Sequence, residues 1–138
     1  MFPINWLAVI VSTVLYMVLG YLWYSPLLFQ KAWIRSLGWN ARDIEAQRKQ
    51  GGMAKVMGTT VLSSLVQVFV LSYLIWALSL VQIVDGVVLA VIAWIGLVIP
   101  ASLAAVLFER RPKGAFYISM LYYLCASVLA AIILVAWR

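Results

Sequence analysis

Four stretches, residues 6–29, 56–80, 87–108 and 115–137, each run for more than twenty residues without one Asp, Glu, Lys or Arg. About twenty apolar residues in a helix cross the hydrocarbon core of a bilayer, whereas a spanning strand needs about half that number and alternates apolar with polar positions. These stretches do not alternate, so each reads as a membrane helix. The second is the most polar and makes the severest test. Residues 61–80 hold twelve Leu, Ile, Val or Phe, which offer roughly −4 to −7 kcal/mol for insertion at about −0.3 to −0.6 each. Against them stand Ser63, Ser64, Gln67, Ser72 and Ser79. Serines can bond to carbonyls of their own helix, and one glutamine costs less than the ~2.5–3.5 kcal/mol of a charge. Insertion wins.

The chain of 138 residues is 67% hydrophobic and 10% charged, where soluble domains are about half apolar and about a quarter charged. The expected fold class is therefore all-α: a polytopic membrane four-helix bundle forming one integral membrane domain over 1–138. The N-terminus lacks a positive region and no cleavage pattern of small residues follows the first stretch, so that stretch is expected to stay as a membrane helix. The net charge of +6 raises nucleic acid as a partner. No groove-reading module accompanies it, and the basic residues lie between the apolar runs, so no nucleic-acid partner is expected.

Nine of the ten basic residues fall in two loops. Residues 30–55 carry Lys31, Arg35, Arg42, Arg48, Lys49 and Lys55; residues 109–114 carry Arg110, Arg111 and Lys113. The loop between them holds only Asp85, and Arg138 is the one basic residue left over. The positive-inside rule places loops 30–55 and 109–114 in the cytoplasm and both termini outside. Anionic lipid of the cytoplasmic leaflet is the partner such loops call for.

The first stretch ends in Leu22-Trp23-Tyr24-Ser25-Pro26-Leu27-Leu28-Phe29. Trp23 and Tyr24 fit an aromatic belt at the headgroups. Pro26 lacks an N–H and disfavours helical geometry at Ser25, so it kinks or ends the span. Beyond it Phe29, Trp33 and Leu37 recur every four residues, while Lys31 and Arg35 fall elsewhere. This predicts a short amphipathic helix on the cytoplasmic leaflet, capped by Gly38. Asn40 with Asp43 comes close to a capping box for a second short helix over 41–50. The alternative for loop 30–55 is a solvated connector.

Asn5-Trp6, Gly20, the Trp23-to-Phe29 string and Lys31-Ala32-Trp33 resemble a bacterial family of small membrane proteins, domain of unknown function 1761. The resemblance continues through Trp94 and Gly96, Leu107-Phe108-Glu109-Arg110 and Trp137, and covers nearly the whole chain. Its specific part is Trp23-Tyr24-Ser25-Pro26. It implies four membrane helices in the bacterial cytoplasmic membrane and no established activity.

Chemistry is scarce. The chain has no histidine and a single cysteine, Cys125, within an apolar run. It shows no paired carboxylates, no phosphate loop and no nucleophile beside a base. No enzyme activity and no cofactor are expected. Asn5, Ser12, Tyr16, Gly20 and Trp23 share one face of the first span; Thr60, Ser63, Ser64 and Gln67 gather in the second; Ser119, Tyr122, Tyr123, Ala126 and Ala130 lie in the fourth. Ala101/Ala105, Ala126/Ala130 and Ser127/Ala131 have the small-xxx-small spacing of interhelical contacts. The candidate polar contacts are Asn5, Tyr16, Gln67 and Tyr123, each open to two readings: a bond between helices, or a ligand contact inside the bundle. Pro100 likewise reads as a kink or as a broken helix at an ion site. Trp23, Tyr24, Pro26, Lys31, Trp33, Arg35, Glu109 and Arg110 are candidate interface and lipid anchors.

These features favour a protein that acts through helix packing, as a homo-oligomer or as an accessory subunit of a membrane complex. A small transporter or channel is the first alternative, although no span holds the carboxylate that proton coupling uses. Lipid or quinone binding is the second, with Trp23, Tyr24, Trp33 and Trp94 as aromatic walls.

Overall fold

The computed structural model describes residues 3–38, 40–50, 53–109 and 112–137, and every regular element in them is helical. Helix α1 spans Trp6–Trp23. Asn5 caps it, its Oδ1 accepting from the Ala8 amide at 3.2 Å. The helix stops at Trp23, six residues short of the apolar run, because Pro26 cannot continue the ladder. Ser25 closes the end by donating its hydroxyl to the Leu22 carbonyl at 2.6 Å. Residues 24–29 form turns, fastened where the Phe29 amide donates to the Trp23 carbonyl at 3.1 Å.

Helix α2 (Gln30–Leu37) follows and ends on Gly38, whose φ of +69° is the left-handed conformation that suits glycine. Helix α3 (Ala41–Gln50) begins with a reciprocal box. The Asp43 amide donates to Asn40 Oδ1 and the Asn40 amide to Asp43 Oδ2, both at 2.9 Å. Helix α4 (Met53–Ala77) ends in a Schellman motif. Ser79 holds φ +54° there, and the Leu80 amide donates to the Ile75 carbonyl at 3.0 Å.

Helix α5 (Ile83–Ala93), a π turn (Trp94–Val98) and helix α6 (Ile99–Glu109) form one long apolar rod. The π turn sits just before Pro100, whose ring would strike the Gly96 carbonyl in an unbroken α-helix. Widening the turn relieves that clash, and the Ile99 amide donates to Trp94 instead. Helix α7 (Lys113–Ala136) completes the chain.

Four helices are thus long and apolar enough to cross a membrane: Trp6–Trp23, Met57–Ala77, Ile83–Glu109 and Lys113–Ala136. The protein is a multi-pass membrane protein. Its packing is not that of a symmetric bundle. Helix α7 lies at the centre and packs against α1, α2, α4, α5 and α6. Helix α4 rests mainly on α1, and α4 and α5 touch only lightly.

Small residues set the close approaches, as lipid leaves helices little hydrophobic reason to associate. Ala126, Ala130 and Ala131 of α7 are buried. Gly86 of α5 meets Val135 so closely that an added Cβ would lie 2.6 Å from its Cγ2. The rod 83–109 is the least covered span: 6% of its most apolar stretch is buried, against 39% for α7.

Candidate functional site

The polar side chains of α1, α4 and α7 converge on Tyr16. Its hydroxyl donates to Gln67 Oε1 at 3.0 Å and lies 3.4 Å from the Ser127 hydroxyl. Gln67 Nε2 donates in turn to Ser63 Oγ at 3.2 Å, one turn back on α4. The Tyr16 backbone carbonyl accepts the Tyr122 hydroxyl at 2.8 Å. A glycine makes this last bond reachable. A Cβ on Gly20 would stand 2.9 Å from the Tyr122 hydroxyl, so only glycine leaves α1 open to that ring.

Tyr122 is the hub of the aromatic packing. The rings of Tyr16, Trp23, Tyr24 and Tyr123 surround it at centroid distances of 5.8, 6.3, 5.8 and 5.3 Å. Ser12 is also buried on this face of α1, and its hydroxyl has no partner among the described residues.

Tyr16, Gln67 and Ser127 form the floor of a cleft of about 240 Å³ between α4 and the α5–π rod. Leu71 and Leu74 wall it on one side, Trp94 and Leu97 on the other. The Trp94 indole donates to the Met120 carbonyl at 2.8 Å, which ties the π turn to α7. Gln67 is exposed in the seam. Its amide nitrogen carries two hydrogens, and Ser63 takes one, leaving the other without a partner among the described residues.

The remaining candidates fall into two groups. Asn5 joins the chain ends: its Nδ2 donates to the Trp137 carbonyl at 2.8 Å. Trp23 and Tyr24, expected as headgroup anchors, turn toward α7. The Trp23 indole donates to the Ile118 carbonyl at 3.0 Å, and the Tyr24 hydroxyl bonds Ser119 at 3.0 Å. Trp33 of α2 meets the Tyr24 ring at 5.4 Å. Tyr123 is half-buried beside Tyr122.

Pro26 lies in the turn after α1, Lys31 and Arg35 are exposed on α2, and Glu109 is the exposed last residue of α6. Arg110 lies outside the described residues. Sequence reasoning placed Tyr122 in the seam but singled out its neighbour Tyr123. It gave Ser127 only a packing role, and the signal for Tyr122 was Gly20, a lone glycine in the first span.

Among the described residues no three His, Cys, Asp or Glu side chains gather where a metal could sit. The site is made of neutral hydroxyls, an amide and indoles. Here they hydrogen-bond one another and backbone carbonyls across α1, α4 and α7.

No curated protein and no solved structure matches the chain. A family model described as "Protein of unknown function (DUF1761)" matches residues 7–135. With that match running almost end to end over four membrane helices, the chain belongs to the DUF1761 family.

Proposed function

We propose that this protein is a non-catalytic membrane subunit that works by assembly across the α4–α5 seam, with a second copy of itself as first partner. The setting in this reading is the bacterial cytoplasmic membrane, with both basic loops facing the cytoplasm. The observation that carries the proposal is Gln67, an exposed and half-satisfied amide in the middle of an apolar helix. An unpaired N–H in hydrocarbon costs several kcal/mol, so a covering partner is favoured.

The amide offers one open N–H and one open acceptor site on an oxygen that Tyr16 occupies once. That pair is self-complementary. Two Gln67 side chains related by a two-fold axis satisfy one another with two bonds, as an isologous interface requires. Each such bond contributes about 0.6–2 kcal/mol in a membrane. The sparsely buried rod 83–109 supplies the apolar surface beside it.

Gentle extraction followed by native mass spectrometry tests this. The expected result is a defined oligomer, or a complex with another membrane protein, that dissociates about tenfold more readily in Gln67→Leu. A lone chain from native membranes that never recovers a partner overturns the proposal. A lone chain carrying a reproducible small-molecule mass, lost in Gln67→Leu, replaces it with the lipid- or quinone-binding alternative, for which the cleft of about 240 Å³ provides the seat.

A further inference from the structure

A second cavity lies at the basic end of the molecule, apart from the α4–α5 seam. It measures about 570 Å³ and opens between α2, α6 and α7. Its walls are Trp33 and Leu37 of α2, Ala105 and Val106 of α6, and Phe116 and Met120 of α7. It exists because α2 and α6 both lie on α7 yet scarcely touch each other.

Helix α2 is docked in place. Gly114 admits Ser36 so closely that an added Cβ would collide with the serine side chain. The Tyr24 ring braces Trp33, and the turns of residues 24–29 fix the angle between α1 and α2. The groove is therefore preformed.

Helical periodicity puts Lys31 and Arg35 on the face of α2 opposite Trp33 and Leu37. Both cations are exposed. Lys113, also exposed, follows Pro112, which lines the groove. Glu109 is the one carboxylate at the adjoining ends of α6 and α7. The trough is mostly apolar, with Ser102, Ser119 and Tyr123 as its polar lining, and it lies beneath a predominantly cationic surface; that combination matches one class of membrane molecule, a hydrocarbon chain ending in a polar, negative headgroup.

We infer that this groove binds an anionic phospholipid, one acyl chain lying between α2 and α6 and the phosphate at the mouth beside Lys113, with Lys31 and Arg35 on the outer face of α2 adding attraction at headgroup level. The site is independent of the Gln67 seam, and the two can fail separately. Docking of α2 also gives the amphipathic helix a purpose beyond adhesion, since it walls a cavity that a lipid fills.

The experiment is native mass spectrometry of the full chain titrated with phosphatidylglycerol or with phosphatidylcholine of the same acyl chains. Wild type is expected to retain phosphatidylglycerol preferentially, and each of Lys31→Gln, Arg35→Gln and Lys113→Gln to weaken that preference by up to about fivefold. These surface changes leave the packing untouched. Ala105→Trp fills the trough and is expected to abolish retention while Gln67→Leu keeps it. Fluorescence quenching of wild type by brominated phosphatidylglycerol gives a second readout through Trp33, calibrated with Trp33→Phe. Equal retention of both lipids, undiminished retention in a folded Ala105→Trp protein, or no quenching assignable to Trp33 overturns the inference.

Discussion

Replacing Gly20 with alanine tests whether one missing methyl group sets the α1–α7 interface. The new Cβ would lie 2.9 Å from the Tyr122 hydroxyl and 3.2 Å from its Cζ. The ring cannot simply recede, because four other aromatic rings crowd it. Overpacking of this kind costs about 1–3 kcal/mol. Stretching the 2.8 Å bond to the Tyr16 carbonyl removes a further ~0.6 kcal/mol. Alanine's better helix propensity returns about 1 kcal/mol. The net loss expected for Gly20→Ala is about 0.6–2.6 kcal/mol.

Tyr122→Phe alone should cost only ~0.6 kcal/mol, as the carbonyl it leaves is already engaged in its own helix. The double mutant is the decisive case. Without the hydroxyl the closest collision is gone and only the Cζ contact remains, so alanine at 20 becomes close to neutral. The cycle should show a favourable coupling nearly as large as the Gly20→Ala loss itself, about 0.6–2.6 kcal/mol. Reversible unfolding in mixed micelles, followed by far-ultraviolet dichroism, measures all four proteins. Additive losses would show that the Tyr122 hydroxyl is not what Gly20 accommodates.

Gly86→Ala drives a Cβ to 2.6 Å from Val135 and should cost about 1–3 kcal/mol, most of it recovered by adding Val135→Ala in the same unfolding assay. Asn5→Ala loses both the α1 cap and the bond to Trp137, a loss of about 0.5–2 kcal/mol for the cap alone. Asn5→Asp keeps the cap and loses only the Trp137 bond, so its melting temperature should fall between those of wild type and Asn5→Ala. Ser12→Ala removes a buried hydroxyl that has no partner among the described residues and should be neutral or stabilising. A loss above ~1 kcal/mol in a thermal melt would mean that Ser12 makes a bond.

The spans were legible because hydrocarbon thickness translates directly into residue count. The punctuation was legible too: Pro26, Gly38 and the Asn40–Asp43 pair act through local backbone chemistry that a sequence displays. Helix α5, which opens the third apolar stretch, starts at Ile83 rather than Val87 and takes Asp85 into its first turn. A carboxylate there suits the positive end of the helix dipole, so a charge did not mark the boundary. Pro100 announced a disturbance but not its form, because a π insertion changes the rotation of an all-apolar rod without changing its composition.

The same uniformity hid the direction of Tyr24, whereas the spacing of Trp23 from Tyr16 and Gly20 put it on the packed face. In lipid both the packed and the exposed faces of a helix are apolar, so amphipathicity does not report the inside. Choosing Tyr122 over Tyr123 requires the rotation of α7. That rotation is fixed by partners distant in sequence, Gly20 and Gly86, and by the indoles of Trp23 and Trp94.

The distribution of these partners carries a consequence for where the protein acts. Helix α7 is held from three sides by glycine contacts and directed bonds: Gly20 and Trp23 from α1's side, Gly86 and Trp94 from the rod, and Ser36 of α2 against Gly114. Helix α4 is tied chiefly to α1. Tyr16 to Gln67 at 3.0 Å and Ser64 to the Met17 sulfur at 3.6 Å join it to α1, the Phe69 ring stacks on Trp6 at 6.0 Å, and α4 touches α5 only lightly. Association in lipid depends on close packing and hydrogen bonds, and the glycine-mediated approaches of Gly20 and Gly86 join α1 and α5 to α7. At the α4–α5 seam the Gln67 amide has bonding capacity left over. In the assembly proposed above, a partner covering Gln67 would meet α4 at the edge of the packed α1–α7–α5 group.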